Sequence, residues 1–163
     1  MKALLIGATA LTLLIVTPQL AQADLADQLV GVWKGTGFAH KVLETGELRK
    51  PWGDKPSGVA TFSRGGYLTY QFLAEARKVP QAPPTDEDRA LLYNTMAFGS
   101  GPYRVEGDKV FMKYDNSWNQ TWTGTERVQT MHINGKVLTW TSAPLKAPDG
   151  KEVVAVFTYE RLE

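Results

Sequence analysis

Three short turns constrain this chain more than any other feature. Arg64-Gly65-Gly66, Glu106-Gly107-Asp108 and Asn134-Gly135 each separate two runs rich in Val, Thr, Tyr, Phe or Trp. Tight hairpins need residues that tolerate positive φ, which Gly and Asn supply, and a hairpin forces its two strands to be antiparallel. Strand-like runs fall at 30–43, 57–63, 67–73, 98–105, 109–116, 123–133, 136–142 and 152–161. With no helices alternating between them, they argue for a closed barrel or a sandwich rather than a βαβ fold. The expected fold is all-β: an eight-stranded antiparallel up-and-down barrel, the size that just holds one small ligand.

One segment reads as a helix, at 85–97 between the third and fourth strands. Thr85 can cap it, Asp86, Glu87 and Asp88 suit the positive end of its dipole, and Leu91, Leu92 and Met96 fall near one face. The stiff segment 78–84 before it contains Pro80, Pro83 and Pro84. Such a helix either lies across the barrel mouth as a lid or plugs it as permanent core, and those ordinary core residues favour the plug.

Residues 1–23 stand apart from this pattern. Lys2, the apolar run Ala3 to Val16 and the small-x-small site Ala21-Gln22-Ala23 form a signal peptide, with the mature domain spanning 24–163. The apolar run is shorter than the roughly 20 residues a membrane span needs, so no stable membrane anchor is expected. The chain has no Cys, which excludes a lipid at the cleavage site and any disulfide. A periplasmic or secreted product follows, with a mature chain long enough to bury a core without disulfides.

Charge narrows the function classes. The 18 Lys and Arg nearly balance 17 Asp and Glu, and no basic block occurs, so nucleic acid is not an expected partner. Two His and no Cys are too few for a zinc cluster, and no nucleophile elbow or phosphate loop appears. Neither a metal nor any other cofactor is expected.

Two groups of residues carry a family resemblance. Gly31-Val32-Trp33 opening the first strand, with Arg161 closing the last, resembles the lipocalin signature, in which an indole plugs one end of the barrel beneath an Arg. Gly101-Pro102-Tyr103-Arg104-Val105-Glu106-Gly107-Asp108, then Ser117 and Trp122-Thr123-Gly124-Thr125, is similar to the bacterial and fungal lipocalin-like domain family, and the likeness covers nearly all of 29–161. It implies a container for a small molecule. The family's frequent His on the strand equivalent to 109–116 is replaced here by Met112 and Lys113.

Period-two parity then assigns an interior. With Trp33 inward, Gly35, Gly37 and Ala39 follow it and His40 points out; these small residues either leave space or mark bends. The expected cavity wall is Trp33, Tyr70, Phe72, Tyr103, Met112, Tyr114, Arg127, Phe157 and Tyr159, while Lys113 and Asp115 face solvent. Val128 is the apolar alternative to Arg127 on the opposite face. An inward Arg127 must meet Glu126, a Tyr hydroxyl, water or an anionic ligand, because an unpaired buried guanidinium is costly. The expected function is binding of a small, largely apolar or aromatic molecule, with no catalytic residue assigned. An isomerase or cyclase acting on a hydrophobic metabolite in the same cavity is the alternative, and a barrel filled by its own side chains a third.

Overall fold

The computed structural model describes residues 24–163. The signal-peptide expectation for 1–23 lies outside the described residues. A helical turn, α1 (Leu25–Leu29), leads into β1 (Gly31–Val42), the two-residue β2 (Leu48–Arg49), β3 (Ser57–Phe62) and β4 (Tyr67–Leu73). Helix α2 (Asp86–Asn94) precedes β5 (Met96–Glu106), β6 (Lys109–Lys113), the short β7 (Asn116–Ser117), β8 (Glu126–Asn134), β9 (Val137–Ser142), the short β10 (Leu145–Lys146) and β11 (Glu152–Arg161).

Eight of these strands form a closed antiparallel barrel in the order β1-β3-β4-β5-β6-β8-β9-β11, and β11 pairs back onto β1. Every neighbour in the ring is the next long strand in the chain, as the hairpins require. Gly66, Gly107 and Gly135 sit at those turns with φ of 76°, 60° and 59°. Closure leaves no free edge along the ring, so each strand's backbone groups find partners on both sides.

One end of the barrel is sealed by its own first and last strands. Trp33 pairs with Arg161 in register and is fully buried. Its Nε1 donates to the Leu29 carbonyl at 2.8 Å, and the Arg161 guanidinium lies 4.1 Å from the ring centroid. Arg161 also donates to the carbonyls of Val30, at 3.1 Å, and Gln28. The carbonyls left open where α1 ends thus receive donors from an indole and a guanidinium.

The register of β1 departs from simple alternation. Gly35 pairs with Tyr159 and Gly37 with Thr158, so Thr36 is an extra residue, a β-bulge. A one-residue slip exchanges the two faces of a strand. Before the bulge Trp33 and Gly35 point in; after it Phe38 and Val42 are the buried residues. The expectation that Gly37 and Ala39 face the interior and His40 faces out is therefore corrected. Gly35 also leaves no void: a Cβ there would overlap the Phe72 ring, and one at Gly58 would too, so the two glycines form a slot that the ring fills.

Helix α2 begins as expected, with a reciprocal capping box between Thr85 and Asp88. It is shorter than 85–97 and buries no residue; Leu91 is 52% exposed. The plug expectation fails: the helix adds no side chain to the core, and its Tyr93 hydroxyl instead donates to the Trp118 carbonyl at 2.9 Å, in the turn between β7 and β8.

Candidate functional site

Along β11 the interior changes character away from Arg161. A cavity of about 190 Å³ is lined along this strand by Tyr159, Phe157 and Ala155. Among the expected residues, Tyr70, Tyr114, Arg127, Phe157 and Tyr159 stand on its wall. The other four are elsewhere. Trp33 seals the far end; Phe72 fills the slot of Gly35 and Gly58; Met112 is fully buried in the core; Tyr103 packs edge-on against Phe62 and donates to the Ser63 carbonyl at 3.3 Å. Parity places a side chain inside, but the depth along the strand decides whether it meets space or core.

Residues that parity could not place complete the wall. The bulge brings in Phe38, whose ring stacks on Trp52 at 4.2 Å between centroids. Trp52 comes from the loop after β2, which is held by Glu75: its carboxylate accepts from the amides of Asp54 and Lys55, at 2.8 and 2.9 Å, and its own amide donates to the Trp52 carbonyl. Trp118 and Trp122 come from the turn between β7 and β8, their rings 4.8 Å apart. Trp118 Nε1 donates to the Met96 carbonyl, and Gly124, at φ 80°, donates to the Tyr114 carbonyl, folding this turn over the cavity. The expected strand 123–133 starts only at Glu126 for this reason.

Polar groups interrupt the aromatic wall. The Tyr70 and Tyr114 hydroxyls are 3.1 Å apart and share a hydrogen bond, while burial pushes both phenols up from their ordinary range, Tyr114 also raising Tyr70. A Cβ at Gly99 would collide with both rings, so this pair depends on that glycine. Tyr159 is fully buried and its hydroxyl has no hydrogen-bond partner; burial holds that phenol protonated too. Gln129 is 5% exposed and its Oε1 is equally without a partner. Arg127 points inward, with its guanidinium 4.3 Å from the Trp122 centroid, while Val128 takes the outer face. Glu126 does not meet Arg127, because its carboxylate is held outside by Arg104 at 2.8 Å.

Electrostatically this is a cavity with one cation and no anion. No Asp or Glu lines it. The pair Lys113 and Asp115 is exposed, as expected, and Asp115 accepts from the Tyr67 hydroxyl at 3.1 Å. His40 joins the wall through the bulge and is only partly exposed; burial, with Arg49 nearby, lowers its pKa from the ordinary 6.5 and favours the neutral imidazole. Among the described residues no cluster of His, Asp or Glu could hold a metal, and no helix is long and apolar enough to cross a membrane.

A search of the curated proteins finds no match to this chain. A family model described as a lipocalin-like domain matches residues 30–162, which is the whole barrel. With its closed eight-stranded ring, its Trp33–Arg161 seal and its aromatic cavity, the chain belongs to the lipocalin-like domain family.

Proposed function

We propose that this protein is exported and binds a small, largely aromatic molecule in the barrel cavity. The observation that carries the reading is an aromatic cavity of about 190 Å³ bounded by Trp, Tyr and Phe side chains. An engineered apolar cavity of about 150 Å³ accepts benzene, whereas sites for drug-sized ligands start at about 300 Å³. The occupant is therefore about one ring with one or two substituents. Edge and face contacts with the tryptophans favour an aromatic ring over an aliphatic chain. Native mass spectrometry of the purified protein tests the reading: a co-purifying mass in the range of a one-ring compound supports it, and a protein that neither carries nor takes up such compounds refutes it. Export is supported by Lys2, the run Ala3 to Val16 and Ala21-Gln22-Ala23; N-terminal sequencing of the exported protein should start at Asp24.

One observation favours a second reading, the isomerase or cyclase. His40, whose neutral form burial favours, and three phenols that burial keeps protonated line the same cavity, which supplies a base and acids to one occupant. That reading requires the ligand to be converted on prolonged incubation and His40→Gln to stop the conversion without releasing the ligand.

A further inference from the structure

The polar atoms on the cavity wall are specific enough to name the chemistry of the occupant. The Arg127 side chain makes no hydrogen bond and no ion pair with any described residue; its guanidinium lies over the Trp122 ring, and its charge acts on the Tyr70 and Tyr114 phenols. Every other guanidinium that approaches an aromatic ring here has a further partner: Arg104 has Glu106 and Glu126, and Arg161 has backbone carbonyls. A half-buried cation without a counter-ion is costly, and an anionic ligand removes that cost. Two other residues that line the same cavity carry buried atoms without a partner: the Gln129 Oε1 can only accept a hydrogen bond, and the Tyr159 hydroxyl can donate one. A buried acceptor and a buried O–H, both unpartnered, match a group that both donates and accepts. A hydroxyl is the smallest such group.

We infer that the ligand is a hydroxylated one-ring aromatic carboxylate, with its carboxylate on Arg127 and its hydroxyl shared between Gln129 and Tyr159. This rests on the cavity reading above. The guanidinium presents parallel N–H groups that suit a carboxylate in two-point contact, and the Trp122 face holds it in place. The hydroxyl donates to Gln129 Oε1 and accepts from Tyr159 O–H, while the ring lies among the aromatic side chains between these two ends. Ring and two substituents together match the volume of about 190 Å³. Sites built to hydrogen-bond a hydroxyl reject the analogue lacking it far more strongly than an apolar pocket rejects a missing methylene, so the hydroxyl sets selectivity.

The test is calorimetric titration of the purified protein with toluene, benzoate and the 2-, 3- and 4-hydroxybenzoates. Benzoate should bind at least about tenfold more tightly than toluene, and one hydroxybenzoate at least about tenfold more tightly than benzoate, as expected for hydrogen bonds to charged or buried groups. Arg127→Leu should abolish the first increment and retain toluene; Arg127→Lys, which keeps the charge, should retain part of it. Tyr159→Phe should abolish the second increment and leave benzoate unchanged, with an unfolding temperature no lower than that of the parent, since it removes an unpartnered hydroxyl. Equal affinity for toluene and benzoate overturns the carboxylate assignment. No hydroxybenzoate better than benzoate, or a gain that survives Tyr159→Phe, overturns the hydroxyl assignment. Either result leaves the cavity reading standing if toluene binds, whereas failure of all five probes to bind defeats the cavity reading with it.

Discussion

The two ends of this barrel each carry an arginine on a tryptophan, and the pairs differ in what else the arginine touches. At the sealed end Arg161 covers Trp33 at 4.1 Å and donates to the carbonyls of Gln28 and Val30. At the cavity end Arg127 covers Trp122 at 4.3 Å, and its side chain has no hydrogen-bond or ion-pair partner among the described residues. The ring geometry is nearly the same, yet one guanidinium closes a fold and the other waits in a cavity. Stacking alone does not distinguish structure from site; the hydrogen bonds left over do.

That contrast is open to mutation. Trp33→Ala should have the largest effect, about 3 to 5 kcal/mol of lost stability, since it empties the fully buried seal. Denaturant unfolding measures it, and a loss under about 1 kcal/mol would mean the seal contributes little. Arg161→Leu should cost about 2 to 3 kcal/mol, because it removes the cation and leaves carbonyls at the end of α1 without their donor. A smaller effect comes from acid. Folded His40 binds its proton less tightly than the unfolded chain does, so the unfolded state holds more protons as pH falls. Stability should be level above about pH 7, decline from near 6.5 downwards, and level off below the lowered folded value. Denaturation midpoints at pH 7.5 and 5 should show this decline, and His40→Gln should flatten that part of it. The smallest loss of stability is expected for Arg127→Leu, no more than about 0.5 kcal/mol and with a small gain allowed, because it removes an unpaired half-buried cation and leaves no other group unpaired. Equal costs for Arg127→Leu and Arg161→Leu would erase the distinction between the two ends.

The sealed end was legible in the sequence because its signals are local and periodic. Gly31-Val32-Trp33, Arg161 and the hairpin glycines specify strand ends and turns, and ring closure in strand order follows from them. The part of the cavity wall carried on strands was legible by parity: Tyr70, Tyr114, Arg127, Phe157 and Tyr159 alternate with exposed or outward residues. The rim was not. Thr36 inserts a bulge that exchanges the faces of β1, and the clue was an internal conflict: Trp33 lies at an odd position, while Phe38 and Val42 lie at even ones in the same strand. Trp52, Trp118 and Trp122 reach the cavity from loops, where no period predicts direction, and their positions depend on hydrogen bonds to Glu75, Met96 and Tyr114 that are distant in sequence. Gln129 shares a face with Arg127 and Met131, but its significance lies in an unpartnered oxygen that only coordinates reveal.

The most direct measurement is a crystal structure of the protein soaked with 4-bromobenzoate, using the anomalous signal of bromine to place the ring. The prediction is one bromine inside the barrel and a carboxylate about 2.7 to 2.9 Å from the Arg127 guanidinium, with Arg161 still on Trp33 and the backbone carbonyls. Bromine found only on the outer surface, or a carboxylate away from Arg127, would contradict the account.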